Sequence, residues 1–181
     1  MSEATTPHIH VACAIIEREG RVLAAQRSRS MSMPLKWEFP GGKIEAGESP
    51  KACLERELAE EMGVGVAIQR VMLPCVHRYP TFTITLYPFV CTIVSGEITL
   101  NEHRAIAWLT PEEMTALTWT AADAPIIEAY RRELRGFPIS SDRTLPDGIR
   151  SARNGNSPVG PNGRAKGLPW VASPGRVRDS S

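Results

Sequence analysis

The stretch from Gly41 to Val64 constrains this chain more than any other. It reads Gly-Gly-Lys-Ile-Glu-Ala-Gly-Glu-Ser-Pro-Lys-Ala-Cys-Leu-Glu-Arg-Glu-Leu-Ala-Glu-Glu-Met-Gly-Val, a glycine loop that feeds a short acidic helix. Ser49 is a good N-cap, Pro50 suits the first turn because its missing N–H costs nothing there, and Gly63 supplies the stop. The predicted helix therefore runs from Pro50 to Met62. At about 100° per residue, Glu57, Glu60 and Glu61 share a narrow arc. Three crowded carboxylates repel one another, and a hard divalent cation that prefers oxygen ligands relieves that repulsion. An ordinary solvated face would carry lysine partners at i+4, which these acids lack. Leu54, Leu58 and Met62 form the adjacent stripe that would seat the helix on a sheet.

The chain around this helix reads mostly as strands. His8 to Glu17 is rich in Val and Ile, Arg18-Glu19-Gly20 turns it, and Arg21 to Arg27 returns. A Ser- and Met-bearing loop, Ser28 to Lys36, leads into Trp37-Glu38-Phe39-Pro40. Val64 to Arg78 suits one or two strands, Tyr79-Pro80 a turn, and Thr81 to Val94 is the strongest β-segment. Ser95-Gly96 predicts a hairpin into Glu97 to Leu100, and Ala105 to Leu109 a last strand. Thr110 and Glu113 have capping-box spacing and open a short helix. A longer helix is expected from Asp123 or Ala124 to Arg135, with Ile126, Ile127, Tyr130 and Leu134 on one side and Arg131, Arg132 and Arg135 at its dipole-favoured end. The expected class is α+β, a mixed sheet layered with helices.

Composition limits what such a domain can do. The formal net charge of +1 gives no argument for a nucleic-acid polymer or a membrane as partner. No apolar run approaches a spanning helix, and Met-Ser-Glu-Ala-Thr-Thr-Pro lacks a signal-peptide core, so a cytoplasmic protein is expected. Cys13, Cys53, Cys75 and Cys91 show no C-x-x-C pairing and read as buried or half-buried thiols, with no disulfides expected. His8 and His10 share a strand face without further ligands nearby. Residues 1–7 are expected to be flexible and 8–136 to form the domain. Residues 137–181, loaded with Gly, Pro, Ser, Asn and Arg, are expected to be a disordered tail. Within that tail Leu168-Pro169-Trp170-Val171 is its one apolar cluster.

Gly42-x5-Glu48-x7-Arg56-Glu57-Leu58-x-Glu60-Glu61-x-Gly63-Val64 resembles the Nudix box, residue for residue. The resemblance extends over residues 8–135 and is nearest the MutT branch of the Nudix hydrolases. Its carriers are Gln26-Arg27, Trp37 to Lys43, Glu102 six residues before Trp108, and Ala122-Asp123-Ala124-Pro125. It implies an α/β/α sandwich of a mixed sheet, with the box helix and a C-terminal helix. It also implies Mg²⁺-dependent hydrolysis of a nucleoside triphosphate to the monophosphate and pyrophosphate, with Mn²⁺ able to substitute. Oxidised nucleotides such as 8-oxo-dGTP, or cytosine nucleotides as in the CTP pyrophosphohydrolases, are the implied substrates.

Carried over by position, Glu57, Glu60, Glu61 and the carbonyl of Gly42 would hold the metal, and Arg27 and Lys43 would contact the polyphosphate. Arg56 would neutralise the glutamates through Glu48 or Glu57. Glu102 would reach in from a flexible loop as a further ligand or as general base, a role for which Glu57 competes. Asp123 stands where the MutT pattern has asparagine, and an ionised carboxylate only accepts hydrogen bonds, so donor-rich edges of cytosine or guanine would suit it. It could equally cap the last helix. Trp37 and Phe39, on one strand face, are candidates for stacking on the base. A nucleotide-sensing module without turnover, and a hydrolase of another nucleoside diphosphate derivative, remain the other readings of the same motif.

Overall fold

The computed structural model describes residues 6–136, which lie within one compact unit. The expectations for residues 1–5 and for the tail, including Leu168-Pro169-Trp170-Val171, fall outside the described residues. Eight strands form a mixed sheet: β1 (His8–Arg18), β2 (Arg21–Gln26), β3 (Trp37–Glu38), β4 (Gly41–Lys43), β5 (Gly65–Val71), β6 (Cys75–Arg78), β7 (Thr83–Ser95) and β8 (Ala105–Leu109). Helix α1 (Pro50–Met62) and helix α2 (Ala124–Leu134) complete it, with a single 3₁₀ turn over Glu113–Ala116. None of the described helices is long and apolar enough to cross a membrane.

β1 organises the sheet. It runs parallel to β7 from His8↔Thr83 to Ile16↔Cys91, and its other edge is divided between two antiparallel partners. β4 takes Val11 to Cys13, and β2 takes Glu17 and Arg18. Between them the Ala14 N–H donates to the Pro40 carbonyl at 2.8 Å, so the gap is not left unpaired. The β1–β2 turn is Glu19-Gly20, both at positive φ (51° and 74°), the geometry whose twist matches a two-residue hairpin.

Alternation along β1 divides the core in two. Ala12, Ala14 and Ile16 face α1, packing with Leu54, Leu58 and Met62. Cys13 and Ile15 face α2, packing with Ile126, Ile127 and Tyr130. Both faces are covered, which explains why the strand is apolar without a polar alternate. This is the expected helix–sheet–helix sandwich. The four thiols are free.

Helix α1 has the predicted bounds. The Ser49 hydroxyl accepts from Ala52 N–H at 3.1 Å, and Gly63 at φ 68° returns its N–H to the Ala59 carbonyl. Val64 to Arg78 divides into β5 and β6 around Pro74, which cannot donate to a ladder. One expectation fails. Residues 97–100 do not form a strand, because their polar groups go elsewhere: Thr99 N–H donates to the Met62 carbonyl at 2.9 Å, covering the end of α1. Leu134 is 51% exposed although it lies on the apolar stripe, because the last turn of α2 passes beyond the core. The Thr110–Glu113 capping box is present, with Thr110 N–H donating to the Glu113 carboxylate at 2.8 Å and Glu113 N–H to the Thr110 hydroxyl at 3.3 Å.

Candidate active site

The acidic edge of α1 is held by one guanidinium. Arg56 donates from Nε and Nη2 to the two oxygens of Glu48, both at 2.9 Å, a bidentate pair. Its Nη1 reaches Glu57 at 2.9 Å and Glu60 at 3.3 Å. Hydrogen bonding to Arg56, aided by the Glu45 N–H, lowers the Glu48 carboxyl to about 2. The sequence offered Glu48 or Glu57 as the partner of Arg56, and the structure has both, with Glu60 as well.

The three glutamates fan from solvent to interior. Glu60 is exposed, Glu57 is largely covered, and Glu61 is buried with its Oε2 lacking any hydrogen-bond partner. Burial first, offset by His103 and reinforced by the charges of Glu102, Glu57 and Glu38, raises the Glu61 carboxyl to about 7. A Cβ on Gly42 would overlap the Glu57 carboxylate, so only glycine leaves that acid room beside the strand. An orphaned buried carboxylate oxygen, two more carboxylates and a backbone pressed against one of them form an oxygen-rich donor set that a hard divalent cation fits. Among the described residues the acids do not converge into a three-ligand cluster, since Arg56 holds both Glu57 and Glu60. The Gly42 carbonyl accepts weakly from the Cys53 thiol at 3.4 Å.

Arg27 and Lys43 differ in their surroundings. Arg27 is ion-paired with Glu38 and also holds the Ser32 carbonyl at 2.5 Å and hydroxyl at 2.8 Å. The Lys43 side chain is exposed, with no ion pair among the described residues. Glu102 is exposed, and the backbone on either side of it is hydrogen-bonded to the rest of the domain. Asn101 donates its side-chain amide to the Glu60 carbonyl at 2.7 Å, and Arg104 N–H donates to the Gln26 carbonyl at 2.9 Å.

Asp123 is 5% exposed and does not cap α2. Its φ and ψ of −80° and −27° are already helical, so its side chain is free to turn away from the helix end. One carboxyl oxygen accepts from Phe39 N–H at 3.3 Å and the other from the Thr120 hydroxyl. Burial, with the nearby Glu38 charge, raises it to about 7 against the hydrogen bonds and Arg27. The rise favours the neutral carboxyl, a form that can donate as well as accept. Phe39 is 3% exposed, with its ring 5.1 Å from Trp119, and core packing accounts for it. β3 ends at Glu38, so the shared strand face expected of Trp37 and Phe39 does not extend to Phe39. Trp37 is half-buried, its backbone paired with Thr118 and Thr120.

Sequence reasoning missed Glu38, His103 and Thr120. Glu38 bridges Arg27 and His103, whose Nε2 lies 2.9 Å from it. Burial opposes the imidazolium, but the hydrogen bond and charge of Glu38 and the charge of Glu61 outweigh it, raising the His103 pKa. Thr120 had a legible signal, the i, i+3 spacing to Asp123 typical of side-chain hydrogen bonding around helix starts.

The acidic helix edge beside the Gly41–Lys43 strand and the Arg27–Glu38–His103 chain lies within the region that the family match covers. The chain belongs to the NUDIX domain family, whose model matches residues 6–130, and it is a Nudix hydrolase. It is 35% identical over 122 residues to the CTP pyrophosphohydrolase of Escherichia coli K12, covering 67% of this chain and 90% of that one. It is 31% identical over 130 residues to the 8-oxo-dGTP diphosphatase of Haemophilus influenzae, covering 71% and 96%. The solution structure of the E. coli ORF135 protein matches with a TM-score of 0.65 at 31% identity, covering 76% of this chain and 99% of that one.

Proposed function

We propose that this protein hydrolyses a modified or oxidised (deoxy)nucleoside triphosphate, a purine of the 8-oxo-dGTP kind or a cytosine nucleotide, to the monophosphate and pyrophosphate in the cytoplasm. The observation that carries the reading is the buried, partnerless Oε2 of Glu61 beside Glu57 at the Gly42 strand. Glu57, Glu60, Glu61 and the Gly42 carbonyl would hold Mg²⁺, with Glu102 as a further ligand or as the base. The metal, when bound, supplies Lewis-acid charge stabilisation and a template for in-line attack by water. Arg56 aligns Glu57 and Glu60 through its hydrogen bonds to both. Arg27 and Lys43 counter the polyphosphate charge, Lys43 from solvent and Arg27 from beside its Glu38 partner. Asp123 reads the base edge, held in place by Phe39 N–H and Thr120, and Trp37 offers the stacking surface.

The names of the relatives support the substrate class, and the exact base is the open variable. Pyrophosphate release from CTP, UTP, dGTP, 8-oxo-dGTP and a 5-substituted dCTP, each with Mg²⁺, with Mn²⁺ and with chelator, tests it. The expected result is metal-dependent release, fastest with a guanine or cytosine derivative. Equal rates on all five, or release unaffected by chelator, would sink the proposal.

A further inference from the structure

Among the carboxylates proposed as metal ligands Glu102 is the one that lies off the box helix, and its side chain is exposed. The segment around it is nevertheless tied on both sides. Asn101 N–H donates to the Glu61 carbonyl at 3.2 Å and the Asn101 amide to the Glu60 carbonyl at 2.7 Å, while Arg104 N–H donates to the Gln26 carbonyl at 2.9 Å. Between these ties His103 turns inward, its side chain 1% exposed and its Nε2 2.9 Å from a Glu38 oxygen. The other Glu38 oxygen accepts from Arg27. A single covered carboxylate thus touches both the guanidinium assigned to the polyphosphate and the imidazole adjacent to Glu102.

We infer that Glu38 and His103 are positioning residues: the Arg27–Glu38–His103 chain fixes where Glu102 is presented beside Glu61 and links that placement to the phosphate contact. The inference rests on the proposed roles of Arg27 and Glu102. Burying His103 on Glu38 anchors the segment at its middle, where the backbone ties at Asn101 and Arg104 leave Glu102 free to swing. A buried polar pair of this kind fixes geometry because either partner alone is costly to leave unmatched.

The test uses the full chain with His103→Leu, which fills the space without a donor, and His103→Gln, whose amide can reach Glu38. In the metal-free protein, amide hydrogen exchange at Asn101 and Arg104 should speed at least about tenfold in His103→Leu and recover in His103→Gln, with the α1 amides unchanged. In turnover, His103→Leu should lower kcat by about tenfold to a hundredfold with KM for the nucleotide nearly constant, as expected of a misplaced group. Added to Glu102→Gln, the same change should cost less than about twofold more, because both act through one side chain. Unchanged exchange at Asn101 and Arg104, an equal loss in both backgrounds, or full turnover by Glu102→Gln would each overturn the inference. If His103→Leu fails to fold, Glu38→Gln takes its place in the exchange measurement. A wild-type chain inactive on triphosphates would count against the proposed function alone, and exchange would still decide the anchor.

Discussion

Burial pushes two carboxyl groups up to about 7, and the protein answers the two cases differently. Asp123 is satisfied by Phe39 N–H and the Thr120 hydroxyl, whereas Glu61 keeps an oxygen without a partner. The first arrangement is finished and the second awaits a charge. Changing Glu57 to Gln removes a charge while keeping shape, so kcat should fall by about a hundredfold or more with an unchanged melting temperature, a loss typical of removing an acid–base group. Near-normal turnover in a folded Glu57→Gln protein would remove the carboxylate site. Asp123 ionises near 3.8 in an unfolded chain and near 7 in the fold, so between those values the folded state holds a proton the unfolded state has lost. Its stability contribution therefore declines as pH rises through that window and is flat above it. Asp123→Asn should lack the decline: its melting temperature relative to wild type should climb from pH 4 to pH 7, with the Glu61 contribution cancelling between the two proteins. The same variant should shift base discrimination by roughly tenfold to a hundredfold, or about 1–3 kcal/mol. A uniform loss on every nucleotide would leave Asp123 a structural acid only. Spacing exposed the box glutamates and Arg56 because they lie on one helix. Glu38 and His103 are 65 residues apart, and no local pattern joins them.

Helix α1 was legible to its last residue because its signals are local: a capping serine, a proline at the start and a glycine whose φ of 68° suits few other residues. Gly63→Ala should cost roughly 1–2 kcal/mol for the left-handed conformation. Its new Cβ would in addition stand 2.9 Å from the Thr99 hydroxyl. Urea unfolding should register the loss while turnover at saturating substrate stays near wild type, and an unchanged midpoint would show that the stop signal lies elsewhere. Strand assignment failed where a segment found a different partner. Residues 97–100 had the composition of a returning strand, yet the Met62 carbonyl at the end of α1 took the Thr99 N–H. A hairpin and a helix cap make similar demands on a short polar segment, and only the position of α1 decides between them.

At the scale of the molecule, both faces of β1 are covered, among the described residues, by residues no later than Tyr130. A chain ending at Gly136 is accordingly expected to keep its melting temperature and turnover within about twofold, which falls inside the small effects usual for changes away from a core. A large loss of either would place part of 137–181 in the working domain. The layered class was readable from the alternation of apolar runs, but the parallel union of β1 with β7 was not, since it joins residues such as His8 and Thr85 that stand 77 positions apart. That union has a consequence for the birth of the molecule. The first strand to leave the ribosome has no central neighbour until the seventh has followed it, and pairings of such long range form slowly. Through that interval the β7-facing edge of the run from Val11 to Ile16, later the middle of the sheet, has no ladder partner. An edge left open in this way exposes the nascent chain to aggregation until Cys91 has been made.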